Sequence, residues 1–199
     1  IPKGLVGSEM CIRDSMDTTG TFETAITLQK HKMLTAIHKF YSIKDWEKNV
    51  EKLDPNFISV TVGQSKEDLQ LGQKIFSLNS DIKYLCIDVA NGYREDFINS
   101  VKNYRETFPD KIIIAGNVAT REMTEALILA GADIVKIGIG PGSVCTTRSV
   151  AGVGYPQLSS ISECSDAAHG LGGHVMADGG CKYPGDVSKA FGAGADYVM

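Results

Sequence analysis

Cys145 follows three glycines at alternate positions, Gly138, Gly140 and Gly142, and precedes Thr146, Thr147 and Arg148, within the stretch VKIGIGPGSVCTTRSVAGVGYPQ of residues 135–157. A thiolate is a strong, soft nucleophile, and a neighbouring arginine can lower the pKa of its thiol. Spacing alone leaves two readings open. Cys145 is either a nucleophile in an open loop or a buried structural cysteine, the commonest fate of a free one. Cys86, in an apolar run, and Cys164, on a helix face, read as structural, and Cys181 after DGG reads the same way. The loop is not a dinucleotide-binding fingerprint, because GIGPGS lacks the third glycine at the required offset. It is not a P-loop either, because no G-K-[ST] follows.

Two carboxylates stand at strand ends. Asp178 precedes Gly179 and Gly180, where a carboxylate can accept ribose hydroxyls and glycine N–H groups can hold a phosphate. A plain Asx turn is the alternative. Asp88 sits inside the run YLCIDVA, where an unpaired charge would be costly. His38 and Lys39 end another run and read equally as a solvated strand terminus. His31, His169 and His174 show no ligand spacing and read as structural or exposed.

The elements that would position these residues are short Val-, Ile- and Leu-rich runs at 33–37, 57–62, 84–90, 112–116, 133–139, 174–178 and 196–199. Most lack period-2 alternation, the mark of strands buried on both faces of a parallel sheet. Helix-like stretches lie between them. Residues 42–53 put Ile43, Trp46, Val50 and Leu53 at helical spacing behind Ser42 as N-cap. Residues 120–131 begin at Thr120 and end at Gly131, and 155–170 and 183–194 are similar. Residues 15–20 read as the exit of an eighth strand, with a helix from about Thr21 to Lys30. LAGADIVKIG and FGAGADYVM repeat A-G-A-D before an apolar run, a repeated helix-to-strand junction in which glycine caps the helix and aspartate closes the turn.

This pattern predicts an α/β fold, a TIM (β/α)8 barrel, with a doubly wound open sheet as rival. In a barrel the strand exits carry the chemistry, and the candidate residues cluster there. With 199 residues the chain is shorter than a full barrel, so the expectation is a fragment incomplete at both ends. Residues 1–15 are polar and weakly strand-like and read as a non-native or disordered leader, leaving 16–199 as a partial barrel domain.

Hydrophobic residues make up 43% and charged ones 22%, with a net charge of −4, which is ordinary globular composition. No basic surface for nucleic acid is indicated, and no apolar run is long enough to span a bilayer. Five scattered cysteines with no C-x-x-C pair form neither a disulfide framework nor a zinc set. A reducing cytoplasm is the compartment they fit.

GIGPGSVCTTR with GVGYPQLS resembles the catalytic loop of the IMP dehydrogenase/GMP reductase family, and the resemblance runs from about Met16 to Met199. MDTTGTFE, AIHKFYS, IDVANGY, AGNV and ECSDAAHG are similar to the reductase branch, and there is no inserted domain of the kind dehydrogenases commonly carry. The resemblance implies NADPH-dependent reductive deamination of GMP to IMP with release of ammonia, through a covalent cysteine thioimidate. By motif, Cys145 matches the nucleophile and Thr147 the residue that assists proton transfer. Ser143, Asp178, Gly179 and Gly180 match the grip on the nucleotide. Lys39, Asp88, Val89, Ala90, Ile139 and Gly140 match the cofactor site. The carbonyls of Gly140, Gly142 and Cys145 match a monovalent cation site, usually potassium. A homotetramer is implied as well.

The family's catalytic glutamate and flap would lie past Met199, so the resemblance implies that the chain as written lacks turnover. The alternatives are an IMP dehydrogenase and a non-catalytic nucleotide-binding barrel.

Overall fold

The computed structural model describes residues 12–13 and 15–199. Eight parallel strands run in sequence order, each paired with the next: β1 Ile12–Arg13, β2 Leu34–Ile37, β3 Ile58–Val62, β4 Tyr84–Asp88, β5 Ile112–Val118, β6 Ile134–Ile137, β7 His174–Ala177 and β8 Tyr197–Val198. Helices fill the connections: α1 Phe22–Leu28, α2 Ile43–Asn49, α3 Lys66–Leu78, α4 Glu95–Thr107, α5 Arg121–Leu129, then α6 Thr147–Ala151 and α7 Gln157–Gly170 together, and α8 Pro184–Gly192. Short 3₁₀ turns, Gln29–His31 and Val50–Lys52, extend α1 and α2.

The sheet curls into a TIM barrel. Ile12 of β1, Leu34 of β2, Cys86 of β4, Ile114 of β5, Met176 of β7 and Tyr197 of β8 belong to one apolar cluster. Side chains of the first and last strands can share a cluster only if the sheet wraps round on itself. The alternate residues Ile37, Val60, Leu85, Ile113, Val135 and Val175 pack outward with Trp46 and Phe97 of the helices. Both faces are therefore dry, which explains the missing alternation. Each buried Ile, Leu or Phe contributes about 1.5–3 kcal/mol by leaving water.

The expected strands fall within two residues of the observed ones. The helix expected at 42–53 begins at Ile43, where Asp45 Oδ2 accepts from the Ser42 N–H at 2.9 Å. Helices α3 and α4 are less visible in sequence. Their buried faces are narrow, with Ile75 and Phe76 in one and Phe97, Val101 and Tyr104 in the other, set among charges. At α3, Ser65 and Asp68 cap each other's backbone at 3.1 and 3.0 Å.

The repeated A-G-A-D junctions fold alike, with Gly131 and Gly194 at φ 111° and 106°. The aspartates do more than close a turn. The Asp133 N–H donates to Ile113 O at 2.9 Å while its Oδ2 accepts from Ile113 N at 2.7 Å. Asp196 makes the same double bond with Val175, at 2.9 and 2.8 Å. Each aspartate thus fastens its own strand to the preceding one.

The leader expected at 1–15 falls mostly on residues 1–11 and 14, outside the described ones. Of the rest, Ile12 and Arg13 form β1 and pair with Leu34 and Thr35, and Ser15 is buried.

Candidate active site

A cavity of about 650 Å³ opens at the C-terminal ends of the strands. Its walls come from the segments after β1, β2, β4, β5, β6 and β7. The β6 exit supplies one wall, the loop from Gly138 through Thr147, and carries Cys145 there. The turn is closed by the Cys145 N–H donating to Gly142 O at 3.1 Å, and α6 begins two residues later.

Cys145 is exposed, and its Sγ lies 3.2 Å from Thr147 Oγ1. Hydrogen bonds from the Thr147 hydroxyl and then the Thr147 N–H pull the Cys145 pKa below that of an ordinary thiol, and Arg148 adds a smaller electrostatic pull. Arginine was the expected cause, but threonine dominates. Arg148 is committed elsewhere: its stem runs beside Gly140 and Gly154, and it donates to Tyr155 O at 2.5 Å, pinning the loop to the segment before α7. Among the other described cysteines, Cys86 and Cys164 are buried, and burial raises the Cys164 pKa.

The cavity floor is ionic. Lys136, on the inner face of β6 with 3% of its side chain exposed, places Nζ 2.7 Å from Asp88 Oδ1 and 3.2 Å from Asp178 Oδ2. Asp88 Oδ2 also accepts from Ser15 Oγ at 3.2 Å, and Asp178 Oδ2 from Asn117 Nδ2 at 2.7 Å. Burial alone would raise the Asp88 pKa, but Lys136, Lys39 and Ser15 outweigh it and hold the carboxyl below its usual range. Burial alone would lower the Lys136 pKa, but Asp178 and Asp88 overcome it and the ammonium is held well above its usual value.

Backbone geometry makes room for this floor. Gly116 of β5 faces Lys136, and a Cβ there would sit 2.4 Å from Lys136 O. One residue on, the β5–β6 register shifts between Gly116 and Val118. Asn117 occupies the irregularity and turns its amide to Gly138 O at 2.8 Å and to Asp178. Such bulges commonly re-aim a side chain beside a site. Gln157, at the start of α7, donates to Ile137 O at 2.9 Å and Asp178 O at 3.2 Å, tying the ends of β6 and β7.

Of the expected residues, Cys145 and Thr147 line the cavity, as do Asp178 and Gly179. So do Lys39, Asp88, Val89, Ala90, Ile139, Gly140 and Gly142. Lys39 Nζ donates to Asp88 O at 3.0 Å. Ser143 is exposed on the same loop and Gly180 lies against Pro141 and Gln157, and neither lines the cavity. Sequence reasoning missed Lys136, Asn117, Ser15 and Gln157. The signal for Lys136 was present, a lone charge in the apolar run DIVKIGI. Among the described residues no group of three or more His, Cys, Asp or Glu could hold a metal ion, and no helix is long and apolar enough to cross a membrane.

A parallel barrel with a polarised cysteine at its C-terminal mouth and a carboxylate floor beneath defines a class, the barrel proteins built for nucleotide chemistry. The model of the IMP dehydrogenase / GMP reductase domain matches residues 10–199, and the chain belongs to that family. The match begins within the expected leader. A GMP reductase of Buchnera aphidicola subsp. Schizaphis graminum is 56% identical over 191 residues, covering 94% of this chain and 55% of that protein. A GMP reductase of Caenorhabditis elegans is 55% identical, covering 94% and 53%. GMP reductase 1 of Mus musculus is 54% identical, covering 93% and 54%. An inosine 5' monophosphate dehydrogenase structure from Legionella pneumophila superposes with a TM-score of 0.87 at 35% identity, covering 95% of this chain and 56% of that one. The chain spans about half the length of the curated relatives it matches.

Proposed function

We propose that this protein converts GMP to IMP: GMP + NADPH + H⁺ → IMP + NADP⁺ + NH₃. The observation that carries this reading is Cys145, exposed on the cavity wall with Thr147 Oγ1 3.2 Å from its sulfur. The identity to GMP reductases, rather than the lower identity to a dehydrogenase, supports the choice of branch.

C2 of guanine is a poor hydride acceptor. Addition of the Cys145 thiolate forms an S–C2 bond, and the C2–amino bond then breaks with loss of ammonia. Thr147, within hydrogen-bonding distance of the sulfur, assists the proton transfer to the departing nitrogen. The resulting thioimidate is covalently held, and one hard step becomes two easier ones. The nicotinamide cofactor, when bound, supplies the hydride to C2. The S–C2 bond then breaks and the thiolate is restored.

Asp178 fits a ribose hydroxyl: its Oδ2 is occupied by Lys136 and Asn117, and its Oδ1 carries no hydrogen bond among the described residues. Gly179, Gly180 and Ser143 would complete the grip on the nucleotide. On the cofactor side, Lys39 uses one donor on Asp88 O and keeps others for phosphate or hydroxyl oxygens. Val89, Ala90, Ile139 and Gly140 supply the adjoining wall. A potassium ion would take carbonyl oxygens of Gly140, Gly142 and Cys145, the hard donors such a cation prefers. The Gly142 carbonyl accepts one N–H and retains a lone pair.

The test is an assay of the full-length gene product. GMP-dependent loss of NADPH absorbance with equimolar ammonia, abolished in Cys145→Ala and reduced when potassium gives way to a bulky organic cation, is the expected result. NADH formation from IMP and NAD⁺ would replace this reading with the dehydrogenase; silence in both assays would replace it with a nucleotide-binding barrel. A homotetramer in the cytoplasm completes the proposal, checked by sedimentation and cell fractionation.

A further inference from the structure

Two carboxylates on the same side of a closed cavity repel, and one of them ordinarily takes up a proton. Here a single ammonium lies between them. Lys136 is the one cation of the floor, and it touches both Asp88, on the proposed cofactor side, and Asp178, on the proposed nucleotide side. Neither the nucleophile nor its threonine partner hydrogen-bonds to it. Its work is therefore done through the carboxylates.

The cluster of Lys136, Asp88 and Asp178 carries a net charge of −1. Without the lysine it would carry −2 in the same volume. The partner sets also differ. Asp88 has a partner on each oxygen, Lys136 on Oδ1 and Ser15 on Oδ2. Asp178 has Lys136 and Asn117 on one oxygen only, which leaves Oδ1 as an open acceptor at the cavity. The room for the ammonium is made by Gly116, since a side chain there would collide with the Lys136 backbone and its Cβ.

We propose that Lys136 is a positioning residue: locked between Asp88 and Asp178, it fixes the Asp178 carboxylate so that Oδ1 faces the cavity as the acceptor for a nucleotide hydroxyl. The inference rests on the nucleotide reading above and adds a residue and a charge balance to it.

The experiment measures IMP binding by calorimetry at pH 7 with the full-length gene product. Lys136→Gln is expected to weaken IMP about thirtyfold or more, since a buried charge loses its partner. The acidic limb of binding should also move to higher pH, because two unneutralised carboxylates hold a proton more tightly. Lys136→Gln combined with Asp88→Asn returns the cluster to a net charge of −1. It is expected to bind IMP to within about tenfold of wild type. A purely structural lysine would not be rescued by removing a second polar contact.

Wild-type affinity in Lys136→Gln overturns the proposal, as does a double variant no better than the single one. If the single variant fails to fold, a double variant that folds and binds IMP supports the proposal, and one that folds without binding overturns it. Failure of both to fold makes Lys136 structural and overturns it too. If the wild-type protein binds no IMP, the nucleotide reading falls and takes this inference with it, whereas wild-type binding with an unrescued double variant sinks the inference alone.

Discussion

Cys145 Sγ and Thr147 Oγ1 stand 3.2 Å apart across a single residue of chain, so the nucleophile and its hydrogen-bond partner belong to one turn. The Thr147 hydroxyl and N–H both favour the thiolate, and both are fixed by the start of α6. Alkylation of the peptide carrying Cys145, followed by mass spectrometry against pH, should show a midpoint below that of an ordinary thiol. In Thr147→Val the midpoint should rise and alkylation at pH 7 should slow by about threefold to tenfold. An unchanged midpoint would mean that threonine is not the cause.

Gly116→Ala tests the packing beneath the cavity. The added methyl would meet Lys136 O at 2.4 Å and its Cβ at 2.7 Å, and both belong to a paired strand that cannot retreat. The expected loss is about 2–3 kcal/mol in urea unfolding. A wild-type midpoint would show that β5 and β6 have slack here.

At the opposite end of the barrel, Arg105 uses its whole guanidinium. Nε donates to Gly131 O at 2.9 Å, and the terminal nitrogens reach Lys111 O at 2.9 Å, Pro109 O at 3.0 Å and Asp133 Oδ2 at 2.5 Å. A lysine cannot reproduce that planar fork. Arg105→Lys should therefore cost about 2 kcal/mol, nearly as much as Arg105→Met. Nucleotide binding at the far mouth should be unchanged in the folded fraction, measured by calorimetry.

Asp196 gives an acid-sensitive contribution. Burial works to raise its pKa, but hydrogen bonds from His174, the Val175 N–H and His169 prevail, and the folded value lies below the unfolded one. Stability from this group is present above the ordinary carboxylate range and is lost as pH falls through the lowered folded value. Thermal unfolding from pH 7 down to about pH 3 should thus be steeper in wild type than in Asp196→Asn. At neutral pH the variant should lose about 1.5 kcal/mol. Parallel pH dependences in the two proteins would remove Asp196 from the account.

The strands were legible in the sequence because burial on both faces leaves unbroken apolar runs such as IIIAG and DIVKIGI. The same dryness hid which residues point inward. Ile113 and Ile114 are chemically alike, yet one packs on the helices and the other inside the barrel. Only the charged exceptions, Asp88 and Lys136, mark the inner face, and their pairing across 48 positions is a product of strand register that no local pattern carries. Cys145 was visible because glycines frame it. Asn117 was hidden because a bulge, not its neighbours in sequence, aims its amide at Asp178. The two histidines without ligand spacing, His169 and His174, meet at Asp196 for a similar reason, since a helix end and a strand start converge there.

The A-G-A-D clamps bear on how the chain acquires its fold. Every strand pair joins sequence neighbours, and Asp133 and Asp196 each lock a new strand to the one made just before it. Loop closure is short at each step, so no distant segment has to be found before the next strand can dock. A nascent chain leaving the ribosome could add its strands one at a time, each aspartate acting as a latch on the unit already laid down.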